Sequence, residues 1–166
     1  MSGLIATIVV VAAVASQATP VPPETKQFAF WIGKWNCEGD SYAADGSKTH
    51  TKATNDVRWA MDGHVVEENF NGAGMVGRSV SVYMPAGKRW RQTWVDNQGG
   101  YIALAGTFAD GKMTLQTVAN PNSPNSASRM VFSNIQKDSF DWDWEATTDG
   151  GKTWKLSWHL HYTRRK

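Results

Sequence analysis

Three side chains that could move a proton, Glu68, Asp96 and His64, lie in segments where apolar residues recur at every second position. One such face reads His64, Val66, Glu68, Phe70, and the next segment reads Val76, Arg78, Val80, Val82, Met84. A third reads Trp90, Gln92, Trp94, Asp96. Pairing these as strands around turns centred near residues 73 and 86 sets Glu68 opposite Arg78 and Arg78 opposite Trp94. Gln92 and Asp96 then flank that level, so four polar groups are expected on one wall of an aromatic interior. Buried charges need partners, so these residues should pair with one another. A few convergent polar groups in an apolar cavity are the usual look of a ligand site. The same residues could equally form a structural ion pair, and a slip of one residue would turn the whole cluster to water.

Three uses of such an interior stay open. As a binding protein, the chain would hold a small hydrophobic or aromatic molecule among Trp59, Trp90, Trp94, Trp142, Trp144 and Trp158, oriented by Glu68, Arg78, Gln92 and Asp96. As an enzyme it would be a cofactor-independent lyase, isomerase or cyclase. Glu68 or Asp96 would be the general base, its pKa raised by the apolar wall, with His64 or Arg78 as acid or electrostatic partner. As a structural protein its interior would simply be solid. Other chemistries lack their residues. There is no Gly-x-Ser-x-Gly, no phosphate loop, and no basic partner beside Cys37 in the sequence. His159 and His161, two apart, could reach one metal, but parity sets them opposite the Trp158, Leu160, Tyr162 face and outside. No metal or other cofactor is implied.

The elements that must position these groups are strands. Nine turn signals punctuate the chain, among them Asp45-Gly46, Asp62-Gly63, Asp110-Gly111 and Asp149-Gly150-Gly151. Nine turns separate ten strands. Apolar and polar residues alternate along Phe140 to Glu145 and Trp154 to Tyr162, the mark of an antiparallel sheet wet on one side. Ten short-linked strands close most naturally into an all-β, antiparallel up-and-down barrel, with a β-sandwich as the alternative. A barrel this wide tends to enclose a cavity.

Composition bounds the rest. The 166 residues carry 17 Lys+Arg against 15 Asp+Glu, too balanced for a nucleic-acid-binding face. Nine tryptophans argue for a folded chain, and one cysteine, Cys37, rules out an intrachain disulfide. Leu4 to Ala15 is an uncharged apolar run, too short to span a bilayer and followed by Ser16-Gln17-Ala18. Residues 1–18 therefore read as a signal peptide, 19–27 as a Pro-rich leader and 28–166 as the barrel. The product is expected to be periplasmic or extracellular, with no stable membrane anchor after cleavage.

Two local motifs suit this scheme. Gly33-Lys34-Trp35 at the first strand, with Arg164-Arg165 after the last, resembles the Gly-x-Trp opening of lipocalins and other calycins, where a late arginine packs across the tryptophan. Thr147 to Trp154 resembles the Asp-box of sialidases, a hairpin brace and not a catalytic site; here it occurs once.

The chain from the leader onward resembles an uncharacterised family of small exported bacterial proteins with a calycin-like domain. The matching pieces include Phe30 to Trp35, Glu68-Asn69, Gly77-Arg78-Ser79, Trp90 to Asp96 with Gly99-Gly100, Trp144-Glu145 and Tyr162 to Arg165. The resemblance implies the barrel and export, and singles out Glu68, Gln92, Trp94 and Asp96. It implies no particular reaction. His64 and Glu67 depart from it, where small or aliphatic residues are expected.

Overall fold

The computed structural model describes residues 19–166; the segment read as a signal peptide lies outside the described residues. Ten strands form a single closed antiparallel barrel in which every strand pairs with its sequence neighbours. They are β1 (Gly33–Tyr42), β2 (Lys48–Ala60), β3 (Val65–Gly72), β4 (Met75–Met84) and β5 (Arg89–Asp96). β6 (Tyr101–Ala109), β7 (Lys112–Thr117), β8 (Ala127–Ser133), β9 (Ser139–Thr147) and β10 (Lys155–Arg164) complete the wall. Pairing of β1 with β10 closes it, which removes the free edges an open sheet would present. All nine punctuated sites fall at the junctions between consecutive strands, some overlapping a strand end by one or two residues. Asp110 and Gly111, both at positive φ (50° and 72°), make the tight turn their dipeptide calls for.

One end is plugged. A 3-10 helix, Pro23–Trp31, buries Thr25, Phe28 and Trp31. The Pro-rich leader expected over 19–27 is thus helical from Pro23 onward and packs into the barrel end. Prolines at the start of this helix supply no amide that it needs, so they begin it instead of preventing it. Phe28 meets Trp90 edge-on at 4.6 Å between ring centroids, and Trp31 meets Phe132 at 5.1 Å. Trp35 donates its indole N–H to the Trp31 carbonyl at 2.7 Å and carries the Arg164 guanidinium 4.1 Å above its ring. Arg164 in turn donates to the Ile32 carbonyl at 2.9 Å. The tryptophan-arginine seal expected from the two ends of the sequence is present.

Strand β4 reverses its expected orientation. Gly77, Ser79, Ser81 and Tyr83 face inward, whereas Val76, Arg78, Val80, Val82 and Met84 face solvent. Asn69, not Glu68, lies opposite Arg78, and Arg78 lies opposite Val95. The hydrophobicity rule picked the wrong face, because the inner wall here takes small residues for two reasons. They leave room for the Trp94 ring, and they offer hydroxyls to the buried Glu68 and Gln92. Exposed valines are tolerable because most of any protein surface is apolar.

Candidate functional site

The barrel is filled at its plugged end and hollow at the other. The cavity, about 200 Å³, opens between the β3–β4, β5–β6 and β9–β10 connections. The registers stack its near wall in layers. Phe70, Gly77 and Asp96 stand at the mouth, and Glu68, Ser79, Trp94 and Ile102 form the next layer. Below them come Val66, Ser81, Gln92 and Leu104. Trp31, from the plug helix, lines the cavity together with Leu104, Leu160 and Tyr162.

An arc of rings faces this space. Trp94 packs on Phe70 at 6.1 Å, Phe70 on Trp158 at 5.9 Å, Trp158 on Trp142 at 5.4 Å, and Trp142 on Trp144 at 6.2 Å. All four tryptophans are half-buried. Gly77 makes the first of these positions possible. A Cβ there would run into the six-membered ring of Trp94.

Glu68 is the buried polar centre. One carboxyl oxygen accepts from Asn55 Nδ2 at 2.7 Å and the other from Ser79 Oγ at 2.6 Å. Asn55 Nδ2 also reaches the Tyr162 hydroxyl at 3.3 Å. Burial pushes the Glu68 carboxyl above its usual range, outweighing the two donors that favour its charged form. Burial likewise pushes the Cys37 thiol up to about 12 and the Tyr162 hydroxyl well above its ordinary value. Cys37 is therefore a packed thiol, not a thiolate.

Asp96 differs. It accepts the Trp94 indole N–H and the amides of Gln98 and Gly100, each at 2.9 Å. The Trp94 bond first, and then the two amides, hold its carboxyl below the usual range, contrary to the raised value expected of a base. Asp96 braces the β5–β6 turn and presents a charge at the mouth.

The remaining expected site residues divide clearly. Trp142, Trp144, Trp158, Trp94, Glu68 and Asp96 line the cavity. Gln92 lies in the layer beneath, its amide given to Ser81 Oγ at 2.9 Å. Trp90 belongs to the plug and donates to Gln27 at 3.0 Å. Trp59 sits near the plugged end, where β2 finishes. His64 lies in the β2–β3 connection with its ring nitrogen 3.0 Å from the Thr19 carbonyl, so it cannot assist Glu68. Arg78 is outside. His159 and His161 also point outward, each beside an aspartate on β9.

Sequence reading missed Asn55 and Ser79. Asn55 was findable, because it falls on the inward parity of Thr51, Ala53 and Val57. Ser79 was hidden by the inverted β4. The Thr147 to Trp154 turn behaves as a brace: Asp149 takes the amide and hydroxyl of Thr153, and Trp154 donates to the Gly151 carbonyl at 3.1 Å.

No protein-family model matches the chain, and no curated protein does. Solved structures do. The S-type phycobiliprotein lyase CPES from Guillardia theta is 13% identical, with a TM-score of 0.61 over 85% of this chain and 92% of that one. Rv2717c from M. tuberculosis is 10% identical, with a TM-score of 0.62 over 89% and 100%. At these identities the likeness is one of fold: the chain is a ten-stranded calycin-like barrel.

Proposed function

We propose that this barrel is a binding protein for a flat hydrophobic or aromatic molecule of one or two rings, held in the hollow end. Export, as the apolar Leu4–Ala15 run suggests, is part of the proposal. The observation that carries it is the arc of four half-buried tryptophans and Phe70 around a real void. A solid barrel would need no void, and a void lined by rings leaves dispersion contacts unmade that a flat guest supplies. Size narrows the guest, since an apolar cavity of about 150 Å³ takes benzene. A larger molecule would have to extend through the mouth. One structural neighbour is by name a phycobiliprotein lyase, which supports a ligand-handling use of this fold.

The test is calorimetric titration of the purified protein with toluene, indole and naphthalene, beside native mass spectrometry for a co-purifying molecule. Saturable one-to-one binding is expected, weakened by about tenfold in Trp158→Ala, in line with the loss of one stacking partner. Heats that never saturate with any of the three would overturn the reading. A second reading, catalysis, is favoured by one observation: Glu68 is a buried carboxyl with a raised pKa lining that cavity. It requires turnover that Glu68→Gln abolishes while binding persists.

A further inference from the structure

We infer that the ligand is an organic cation, a hydrophobic or aromatic amine whose ammonium group sits against the tryptophan faces between Glu68 and Asp96. This rests on the binding reading above and adds the chemical class of the guest.

The sign of the cavity's charge is the first ground. Among the described residues, its lining includes two carboxyl groups, Glu68 and Asp96, and no Lys, Arg or His. An anionic guest would face the Asp96 charge and a second acid, Glu68, with no counter-charge in the lining, so it would be repelled at the mouth and gain no ion pair inside. The rings are the second ground. The Trp94, Phe70, Trp158, Trp142 arc closes around the space with successive centroids 5.4–6.1 Å apart. Aromatic faces carry negative quadrupoles, and aromatic cages are how proteins hold ammonium groups. The placement of the two acids is the third. The registers put Asp96 at the mouth layer and Glu68 one layer below it, on adjoining levels of the same wall.

The two acids divide the work. Asp96 is fixed by the Trp94 indole and the Gln98 and Gly100 amides, so its charge is pre-aimed at the mouth. Glu68 is held by Asn55 and Ser79, and an ammonium group beside it favours the ionised form that burial alone disfavours. An ammonium group passing Asp96 exchanges its water for ring faces and ends within reach of a charge-assisted hydrogen bond to Glu68. The apolar body of the molecule fills the space toward Leu104, Leu160 and Trp31.

Three indoles of matched size and different charge separate the possibilities: tryptamine (cation), tryptophol (neutral) and indole-3-acetate (anion). Calorimetry with the wild-type protein at neutral pH is expected to give tryptamine at least about tenfold tighter than tryptophol, with indole-3-acetate the weakest. Glu68→Gln, which keeps the shape and removes the group that can ionise against an ammonium, is expected to bring tryptamine down to the affinity of tryptophol while leaving tryptophol within about twofold. Tryptophol or indole-3-acetate binding as well as tryptamine would overturn the cation assignment and leave the cavity reading standing. An unchanged tryptamine preference in both Glu68→Gln and Asp96→Asn would also overturn it. Failure of all three indoles to bind would remove both. The wild-type comparison decides the question even where a variant folds poorly.

Discussion

The two ends of this barrel use the same residue and do opposite things with it. At the plugged end Trp31, Trp35 and Trp90 are fully buried among Phe28, Phe132 and Phe140. At the open end Trp94, Trp142, Trp144 and Trp158 stand half-buried around empty space. The difference comes from what each end receives from elsewhere in the chain. The plugged end receives the Pro23–Trp31 helix, whose Phe28 and Trp31 fill the barrel's width, and the Arg164 guanidinium that closes over Trp35. Among the described residues the open end receives no such insert, only turns, of which the β5–β6 turn is tied down by Asp96. Aromatic content alone therefore does not mark a ligand site. A tryptophan whose neighbours are complete is core, and one whose neighbours are missing is a receptor.

The largest expected effect breaks the plugged end. Trp35→Ala removes a fully buried ring, its hydrogen bond to Trp31 and the platform for Arg164, and should cost about 3–5 kcal/mol in urea unfolding. Trp158→Ala removes a ring that already faces a void and should cost clearly less. Equal losses at the two sites would erase the distinction between core and receptor.

Gly77→Ala sharpens the comparison from the other side. The added methyl drives into the Trp94 ring, which must swing toward the cavity, so about 1–3 kcal/mol of stability should be lost to strain. Affinity for indole should fall with it. Unchanged affinity would mean that Trp94 does not form part of the receptor.

The smallest effect lies in pH. Glu68 has its folded pKa raised by burial, so between the ordinary value of 4.5 and the raised one the folded protein holds a proton that the unfolded chain has released. Stability from this group is full below the ordinary pKa and declines as pH rises through the folded pKa. Its slope cannot exceed about 1.4 kcal/mol per pH unit. The side chains facing Glu68 are Asn55, Ser79, Tyr162 and Cys37. The two ionisable ones are pushed well upward and stay neutral through this window, so the slope belongs to Glu68. Urea titrations of ligand-free protein across pH 5–8 should show a decline in the wild type that Glu68→Gln flattens. Parallel curves would place the Glu68 titration outside that window.

Much of this was legible beforehand, and for a physical reason. Turn dipeptides and two-residue alternation are local consequences of backbone sterics and one-sided burial, so ten strands and closure could be read from the chain. The Trp35 and Arg164 seal was legible too, through the resemblance of Gly33-Lys34-Trp35 and the late arginine to the calycin pattern. The inward parity of β3, β5, β9 and β10 followed from the same alternation, which put Glu68, Trp94, Trp142, Trp144 and Trp158 inside. The alternation failed on β4, where the inner face is Gly77, Ser79 and Ser81. An interior that must house a large ring and satisfy a buried carboxyl selects small hydroxyl residues, and composition then reads inside-out.

The sequence by itself determined the strand count, the antiparallel order and the aromatic residues available to the interior, because these depend on short-range pattern, and it favoured closure over a sandwich that the β1–β10 pairing then excluded. Only the tertiary structure decided which tryptophans are core and which stand half-buried around the cavity, that Glu68 pairs with Asn55 and Ser79 and not with Arg78, and that Asp96 braces the β5–β6 turn with its carboxyl held below the usual range. Those outcomes depend on a half-residue difference in where two hairpins turn, and on a plug helix that fills one end only. Neither is written in local pattern. Both are settled when the barrel closes and each side chain either finds a neighbour or does not.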